Sequence, residues 1–533
     1  MSVSFAVSAA KAVLAFAGAV LVCWDAWTGP SKGPRKRTAF RDRTLIATAV
    51  LALAGWWNFG LFHYPGYIHW HESFHHFLGS KYQRELGYTR LYRCVAVAEA
   101  EAGAASDVTA RWIRNLETNA IEPASTALDD PSACTRHFSA ERWREFAHDT
   151  HYFKGRVAAH SWRVFQMDHG YNATPVWTMT GSILTNLGPA SDGLVLALAL
   201  LDPMLLALMW LLIWRTFGWK PACVAAIWWG TNYAARFYWT GGAFLRADWL
   251  VWMVVAVALA YRGRMFLSGA ALATSALLRL IPGILACGLV LREAARMWRE
   301  RTWRPSREFT AFVGGAAVAT SVLVVSSSLV NTGHLLDVSG WNALWENSRK
   351  HLADTGVNRT GLRVLVAFDP DTRMSQLQDL WVDGPLDVWY AARRRTFEAR
   401  APLFWIAVAG FVALLTRAVS RRPPWQALVL AVGLLPIIGE PTSYYYMFLL
   451  LYGLVVTEAP WAGAALCIAA CLTSLPPAYF SMMDEAFVLI SLIVVALVVV
   501  VTALLAFQRP AGLKACPADI TPPGNRQANS PSA

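Results

Sequence analysis

The stretch from His69 to Tyr92 brings together side chains that could do chemistry. Its sequence, HWHESFHHFLGSKYQRELGYTRLY, contains four histidines and the carboxylate of Glu72, and it follows directly on an apolar segment. Ionisable groups at the boundary between lipid and water are costly, so they usually serve a function. A carboxylate held there among aromatic residues can have a raised pKa and act as a general base. We therefore predict that Glu72 is a catalytic base; alternatively, it only pairs with nearby histidines or with Lys81.

His71 and His75 flank Glu72 in the sequence HESFH, which matches the HExxH pattern. On a helix this spacing places both imidazoles on one face for zinc, with the glutamate as general base. A zinc site also needs a third protein ligand, and Asp202 in LLDPM is the candidate for it. The companion motif of membrane metalloproteases is missing, so a metalloprotease is kept as an alternative.

Three further charged residues lie beside apolar runs. In GGAFLRADWL, Arg246 and Asp248 stand where an apolar helix begins, and in LLRLIPG, Arg279 precedes the helix-breaking Pro282. Charges in such places are expected to face a cavity or each other, and a buried guanidinium suits a phosphate group. The alternatives are a helix cap for Asp248 and an Arg279 side chain that extends to the interface. We predict that these three residues and Glu72 line one outward-facing cavity.

Aromatic and polar segments add further candidates. GEPTSYYYM places Glu440 before Tyr444 and Tyr445, whose rings can stack on sugars but can equally serve as interfacial anchors. The segments DHGYNATPVW (168–177) and NSRKHLADTGVNRTGL (347–362) offer donors for sugar hydroxyls or are solvated loops.

The composition indicates a polytopic membrane protein. The chain has 533 residues, of which 56% are hydrophobic and only 15% charged, and it contains 26 tryptophans. Such values are typical of proteins with many helices that cross two interfaces. The net charge of +12 does not indicate nucleic acid, because the basic residues concentrate in short loops between apolar runs, where they act as topology determinants.

A helix needs about 20 apolar residues to span a bilayer. Thirteen apolar runs approach this length, and we predict 11 to 13 spans because the pair around Pro282 could be one broken helix. The runs are 4–24, 44–62, 192–214, 220–235, 246–261, 265–280, 281–292, 309–330, 402–419, 425–438, 441–457, 460–476 and 486–507.

The positive-inside rule gives the orientation of these spans. It places the four loops rich in Lys and Arg in the cytoplasm, the N-terminus outside and the C-terminus inside. Two long loops, 63–190 and 331–400, are then outside, and they contain all 12 histidines. We expect helices at about 93–118 and 139–167, and interfacial helices near 341–352 and 386–398.

The chain divides into three parts on this basis. Residues 1–43 form an N-terminal helix and a basic cytoplasmic loop, 44–508 form the transmembrane catalytic unit with both outer loops, and 509–533 form a disordered cytoplasmic tail. Cys94 and Cys134 share the first outer loop, where an oxidising compartment would allow a disulfide. Whether they pair is left open by the sequence.

Taken in order, these motifs resemble the GT-C superfamily of integral-membrane glycosyltransferases. The chain looks closest to bacterial polyprenyl-phosphate-mannose-dependent mannosyltransferases. The resemblance rests on an acidic residue in the first long outer loop, Glu72, followed by GSKYQRELGYTRLY, FLRADW, LLRLIP and YYYM in the same order. It spans about residues 45–460, through short motifs.

The resemblance implies an all-α GT-C-like fold and an inverting transfer of a hexose, such as mannose, outside the inner (plasma) membrane. The donor would be a polyprenyl-phosphate-linked sugar, and the acceptor a glycan, glycolipid or protein. Glu72 would be the base, Arg279 would hold the donor phosphate, and Arg246 and Asp248 would line the cavity. His71, His75, Lys81, Tyr444 and Tyr445 are further candidates for donor binding. No cofactor is required, although a divalent metal is compatible with this chemistry.

The chain departs from the pattern of this family in two ways, and one further function is an alternative to sugar transfer. The usual acid in the first outer loop is aspartate, and Glu72 follows a second helix rather than the first, so the N-terminal helix would be an addition. A transporter or flippase for a lipid-linked or anionic substrate is the main non-enzyme alternative, because intramembrane charges can also mark a substrate path.

Overall fold

The computed structural model describes residues 3–28, 35–64, 66–353, 357–379, 385–480 and 483–508. Within these ranges the secondary structure is almost entirely helical, and the two strands, β1 (Trp112–Arg114) and β2 (Ile121–Pro123), form one antiparallel hairpin. The protein is therefore all-α apart from this hairpin, as the sequence predicts. The predicted disordered tail, 509–533, lies outside the described residues.

The first part of the chain contains two long helices and then a set of shorter helices in residues 63–190, the segment that the sequence predicts to be the first outer loop. In chain order these helices are α1 (Val3–Thr28), α2 (Arg35–Trp56), α3 (Trp70–Lys81), α4 (Gln83–Leu86), α5 (Leu91–Glu99), α6 (Ala105–Thr109), α7 (Ser132–Thr135), α8 (Ala140–Lys154), α9 (Ala159–Phe165) and α10 (Pro175–Thr185). A π-helical turn follows α5 at Ala100–Ala104, and 3₁₀ turns occur at Asn58–Gly60 and Ala124–Leu128.

The central part is mostly apolar. Its helices are α11 (Asp192–Ala199), α12 (Leu201–Phe217), α13 (Trp219–Thr231), α14 (Phe237–Thr240), α15 (Asp248–Tyr261), α16 (Met265–Leu278), α17 (Leu285–Glu300) and α18 (Arg307–Thr332). The predicted break around Pro282 is confirmed, because α16 ends at Leu278 and a 3₁₀ turn, Ile281–Ile284, separates it from α17.

The last part begins with helices of the long loop 331–400 and ends in apolar helices. Its helices are α19 (Ser339–Ala353), α20 (Leu362–Ala367), α21 (Met374–Leu377), α22 (Asp387–Val419), α23 (Pro424–Ala431), α24 (Leu434–Ile438), a 3₁₀ helix over Ser443–Val455, α25 (Pro460–Leu472), α26 (Pro476–Phe480) and α27 (Asp484–Phe507). Predicted helix 341–352 corresponds to α19.

Six helical stretches in the described chain are long and apolar enough to cross a membrane. They are Val3–Thr28, Asp192–Phe217, Arg307–Thr332, Asp387–Val419, Pro460–Phe480 and Asp484–Phe507. Shorter apolar helices cover Asp248–Tyr261, Met265–Leu278, Pro424–Ile438 and Ser443–Val455. Six such stretches indicate a multi-pass protein in a lipid bilayer.

Two predicted elements differ from the observed ones. The helix expected over 93–118 is interrupted and shorter: α5 passes into the π-helical turn that contains Gly103, with a positive φ of 88°, and α6 ends at Thr109 before strand β1 begins at Trp112. The expected interfacial helix at 386–398 is instead the first part of α22, which runs without interruption for 33 residues with Pro402 inside it. A proline removes one backbone hydrogen bond, which an apolar helix of this length tolerates.

Close contact between α16 and α18 depends on glycine. A Cβ atom added to Gly269 would lie 1.9 Å from the carbonyl oxygen of Phe312, and one added to Gly315 would lie 1.8 Å from that of Phe266. Small residues let helix backbones approach in lipid, where packing rather than hydrophobic burial drives association. These two glycines therefore fix the position of α16, which ends beside Arg279.

The first outer loop is a folded unit tied together by covalent and ionic links. Cys94 and Cys134 form a disulfide that closes a loop of 40 residues. Lys81 and the fully buried Asp149 form an ion pair of 2.8 Å, and Tyr82 also donates to Asp149. A carboxylate buried in this way needs such partners to stay charged. The unit holds α3, which carries Glu72, against the rest of the loop.

Candidate active site

An open cavity of about 560 Å³ lies where the first outer loop meets the loops at the ends of the apolar helices. Its wall comes from α3, the segment after α9, the loop between α13 and α15, and the segments around 358 and 442. The charged and imidazole groups on this wall include His71, Glu72, His75, His76, Asp168 and Arg246. Residues from distant parts of the sequence thus meet around one polar space.

The start of α3 is fixed by His69. Its Nδ1 accepts a hydrogen bond from the backbone N–H of Glu72 (3.2 Å), which caps the helix, and its Nε2–H donates to the carbonyl oxygen of Tyr238 (3.1 Å). The backbone N–H of His69 also donates to the carbonyl oxygen of Gly242 (3.0 Å). Gly242 has a φ of +77° and approaches Tyr67 closely, so a side chain would not fit there. These contacts place Glu72 opposite the loop that carries Arg246.

Glu72 forms an ion pair with Arg246 across the cavity wall. Arg246 Nε lies 3.0 Å from Glu72 Oε2, and His76 Nδ1 lies 3.3 Å from the same oxygen. The Arg246 N–H does not point at the oxygen, so both Nε and Oε2 lack an aligned hydrogen-bond partner among the described residues. A donor and an acceptor that are each unsatisfied therefore lie side by side.

The pKa of Glu72 is lowered, and the prediction of a raised pKa is wrong. Burial alone would raise it, but the positive charge of Arg246 and the neighbouring imidazoles of His76, His69 and His71 outweigh burial and hold the pKa well below its usual range. Glu72 is therefore a carboxylate at neutral pH. The sequence showed the acid and the histidines, whereas the arginine comes from a distant loop.

Asp202 holds Arg246 in place. Its carboxylate accepts hydrogen bonds from the backbone N–H groups of Arg246 (2.9 Å to Oδ2) and Ala247 (3.2 Å to Oδ1). The carbonyl oxygens of Leu245 and Arg246 accept from the indole N–H groups of Trp177 (2.8 Å) and Trp249 (3.0 Å). The backbone that carries Arg246 is thus bonded on both sides. Asp202 is therefore a positioning residue for Arg246, and its predicted role as a zinc ligand is not supported.

His76 links the two charged partners. Arg246 Nη1–H donates to His76 Nε2 (2.8 Å), so the ring carries its proton on Nδ1, which donates to the carbonyl oxygen of Glu72 (3.0 Å). Burial and the charge of Arg246 lower the pKa of His76 well below its usual value. A neutral His76 therefore orients the guanidinium without competing for the carboxylate.

His71, His75 and Asp168 form a second group on the same wall. His71 Nε2 lies 3.3 Å from Asp168 Oδ2, and ligand atoms of all three residues lie within 4.8 Å of one another. Burial, followed by the charge of His71, lowers the pKa of His75 to about 4. Burial would raise the pKa of Asp168, but the neighbouring rings of His71 and His75 lower it below its usual value. At neutral pH this group therefore offers a neutral imidazole and a carboxylate to a ligand.

Asp248 and Arg279 were predicted to line the same cavity as Glu72 and Arg246, but the structure buries both of them instead. Both are buried, with 7% of their surface exposed, and neither is among the described residues that line the cavity. Arg279 ends α16 in an extended conformation, and its Nη2 has no hydrogen-bond partner among the described residues. Its charge lowers the pKa of His76, which places it near the cavity. A buried guanidinium nitrogen without a partner is costly, so Arg279 is suited to an anionic ligand.

The remaining predicted residues lie in different places. Tyr444 lines the cavity, while Tyr445 packs against Tyr444 and Trp249, with ring centroids 4.6 Å and 5.6 Å apart. Lys81 is paired with Asp149 and lines a separate cleft on the outer loop. Glu440 lies 3.8 Å from Arg363 and 4.0 Å from Arg393 rather than on the cavity wall.

The predicted site residues do not include His76, and they do not include Asp168 as the partner of the HExxH histidines His71 and His75. His76 lies four residues after Glu72, a spacing that places both on one helix face and could have identified it. Asp168 was recognised only as part of a polar segment. No sequence signal joins it to His71 and His75, because their contact depends on how the segment after α9 folds back onto α3.

A search with family models gives no match, and searches of curated proteins and of solved structures give none either.

Proposed function

We propose that this protein is a membrane glycosyltransferase that uses a polyprenyl-phosphate-linked sugar as donor. One observation carries the proposal: the Glu72 carboxylate and the Arg246 guanidinium lie side by side on the wall of a polar cavity, each with unsatisfied hydrogen-bonding capacity. A base for an acceptor hydroxyl and a cation for a departing phosphate are the two groups that an inverting transfer needs.

Arg246 has a second role in this proposal, which is to control the pKa of Glu72. When a donor phosphate binds to Arg246, its negative charge offsets the guanidinium charge that holds the Glu72 pKa down. Glu72 then becomes a stronger base only in the complex with donor. This coupling protects the carboxylate from protonation in the free protein and activates it when the sugar is in place.

The proposed reaction is a displacement at the anomeric carbon of the donor sugar. The acceptor hydroxyl enters from the aqueous side and transfers its proton to Glu72 as its oxygen attacks the anomeric carbon. The bond between that carbon and the phosphate oxygen breaks, and its electron pair leaves with the polyprenyl phosphate. Attack from the side opposite the leaving group inverts the anomeric centre. Arg246 stabilises the charge that develops on the leaving phosphate.

The other predicted residues take supporting roles in this proposal. Arg279 provides a second positive charge for the phosphate, with Asp248 beside it, and His71, His75 and Tyr444 line the part of the cavity that receives the sugar or acceptor. Tyr445 supports Tyr444 through ring packing. Lys81 acts only through the fold of the outer loop, since it is paired with Asp149. We further propose 11 to 13 spans, a GT-C-like fold, and a site outside the inner membrane.

The test is sugar transfer by the purified full-length protein in detergent, with a panel of polyprenyl-phosphate sugars and a chelator present. Wild type should transfer sugar, and Glu72→Gln should lose at least about a hundredfold in rate, as general-base removal typically does. Glu117→Gln, an exposed carboxylate in the same outer loop, is the control and should retain wild-type activity. Transfer that is unchanged in Glu72→Gln would refute the assignment of the base. No transfer from any donor would favour the transporter.

A metal-dependent peptidase is the second candidate, because the HExxH histidines and Asp168 do meet on the cavity wall. Its general base would again be Glu72. The geometry favours a peptidase less than a glycosyltransferase, because Glu72 is paired with Arg246. The positive charge of Arg246 would have no function beside a zinc-bound water. Proteolysis of unfolded substrates that requires added Zn²⁺ would favour this candidate over sugar transfer.

A further inference from the structure

His71, His75 and Asp168 have the arrangement of a set of metal ligands. The two histidines are separated by one helical turn of α3, and Asp168 approaches them from the segment after α9. The 3.3 Å between His71 Nε2 and Asp168 Oδ2 matches the roughly 3.3 Å that separates two ligands of a tetrahedral ion bound at about 2.0 Å. Ligand atoms of all three residues lie within 4.8 Å of one another, so two elements far apart in sequence converge around one point.

The hydrogen bonds of His75 orient its ring for ligation. Its Nδ1–H donates to the carbonyl oxygen of His71 (2.7 Å), which leaves the lone pair of Nε2 free to act as an acceptor. A bond of this kind from the second ring nitrogen to a carbonyl is the usual partner of a ligating histidine. The phenol of Tyr92 donates to that Nε2 (2.6 Å) and itself accepts from the N–H of Gly170. An incoming ion would replace the Tyr92 hydrogen bond.

The group is accessible and has room for an ion. All three residues line the cavity of about 560 Å³, and the side chains of His71 and Asp168 are 26% and 43% exposed. Three protein ligands next to open space leave a fourth position for water or a ligand. Two imidazoles and one carboxylate favour Zn²⁺ or a similar transition metal over Mg²⁺ and Ca²⁺, which prefer oxygen ligands.

We propose that His71, His75 and Asp168 bind one divalent transition-metal ion of the Zn²⁺ type, which joins α3 to the segment after α9. The ion connects two walls of the cavity and leaves one coordination position facing it. This inference does not rest on the proposed sugar transfer, because binding can be measured without any substrate.

The experiment is a titration of chelator-treated, full-length protein in detergent with Zn²⁺ against a chromophoric competitor. Wild type should bind one ion per chain, and His71→Ala and Asp168→Asn should each weaken binding at least tenfold. His160→Ala removes an exposed histidine of the same outer loop and should bind as wild type does. Tyr92→Phe should bind at least as tightly as wild type, since no phenol then competes for His75 Nε2. Mg²⁺ should not displace the bound ion.

Two further readouts separate ligation from general effects on folding. Co²⁺ added to wild type should give the visible absorption bands of a four- or five-coordinate site, and these should be lost in His71→Ala. Zn²⁺ should raise the Tm of wild type, and the same Zn²⁺ concentration should raise that of Asp168→Asn by less. Absence of a bound ion, or equal affinity in wild type and in both ligand variants, would overturn the proposal. The latter result would assign any bound ion to exposed histidines elsewhere.

Discussion

Replacing Arg246 by methionine should leave the Glu72 carboxylate buried without its guanidinium partner. The two groups are 3.0 Å apart, and their side chains are only 7% and 17% exposed. Removing one partner of such a buried pair typically costs about 3–5 kcal/mol, because the remaining charge is left uncompensated. We expect Arg246→Met to lower the free energy of unfolding by about 3 kcal/mol. Glu72→Gln combined with Arg246→Met should recover much of this loss.

The loss should depend on pH in a defined direction. In wild type the pKa of Glu72 is lowered, so its pairing stabilises the folded protein above the pKa of an unfolded glutamate, about 4.3, and is lost only in strong acid. In Arg246→Met, burial is no longer outweighed and raises the pKa of Glu72. Protonation of the folded variant then relieves the buried charge as the pH falls. The difference in stability between wild type and variant should therefore shrink from about pH 8 to about pH 5.

The assay is thermal or denaturant unfolding of both proteins in detergent across this pH range. Arg156→Met is the control, because Arg156 pairs with Asp192 at 2.6 Å but the side chains are 42% and 65% exposed. An exposed pair of this kind contributes about 0–1 kcal/mol, so the control should change little. A loss in Arg246→Met below about 1 kcal/mol, or one that is equal at all pH values, would refute the ion pair as described.

Three other predictions follow from the fold. Asp202→Ala should lower the free energy of unfolding by about 1–3 kcal/mol, because the backbone N–H groups of Arg246 and Ala247 lose their hydrogen-bond acceptor. The variant should also transfer sugar more slowly than wild type; an unchanged rate would show that Asp202 is not needed to position Arg246. Gly315→Ala should cost about 1–3 kcal/mol through overpacking against α16, whereas Gly314→Ala beside it, 3.9 Å from its nearest neighbour, should be neutral in the same melting assay. Cys94→Ser should lower the free energy of unfolding by about 2–4 kcal/mol, because the disulfide no longer closes a loop of 40 residues. The variant should also migrate more slowly than wild type on a non-reducing gel, and an unchanged Tm would contradict the prediction.

Local features of the sequence predicted much of the fold. Long apolar runs predict helices because only a helix satisfies its own backbone in lipid, and all six of the long apolar stretches coincide with predicted spans. Pro282 predicts the break after α16 because proline cannot continue the backbone hydrogen bonding of a helix. Element boundaries were predicted less accurately, because the helix expected over 93–118 gives way to strand β1 at Trp112.

The relations among the charged residues could not be predicted in the same way. Glu72 was identified from its position at a membrane edge, but its lowered pKa depends on Arg246, which another helix and the carboxylate of Asp202 bring to within 3.0 Å. The sequence left Lys81 open as an alternative partner for Glu72, but the buried Asp149 binds it instead. Electrostatic effects fall off with distance and depend on burial, so they follow tertiary packing rather than order along the chain.

The sequence by itself determined which residues could do chemistry and that they belong to a helical membrane protein. Residue type, hydropathy and helical spacing are local properties, and they are sufficient for Glu72, for the pair His71 and His75, and for the apolar helices. Only the tertiary structure decided that Asp168 completes the histidine pair and that Arg246 faces Glu72. Contacts of a few ångströms between distant segments arise when the outer loop packs onto the ends of the helices, and no short-range pattern encodes them.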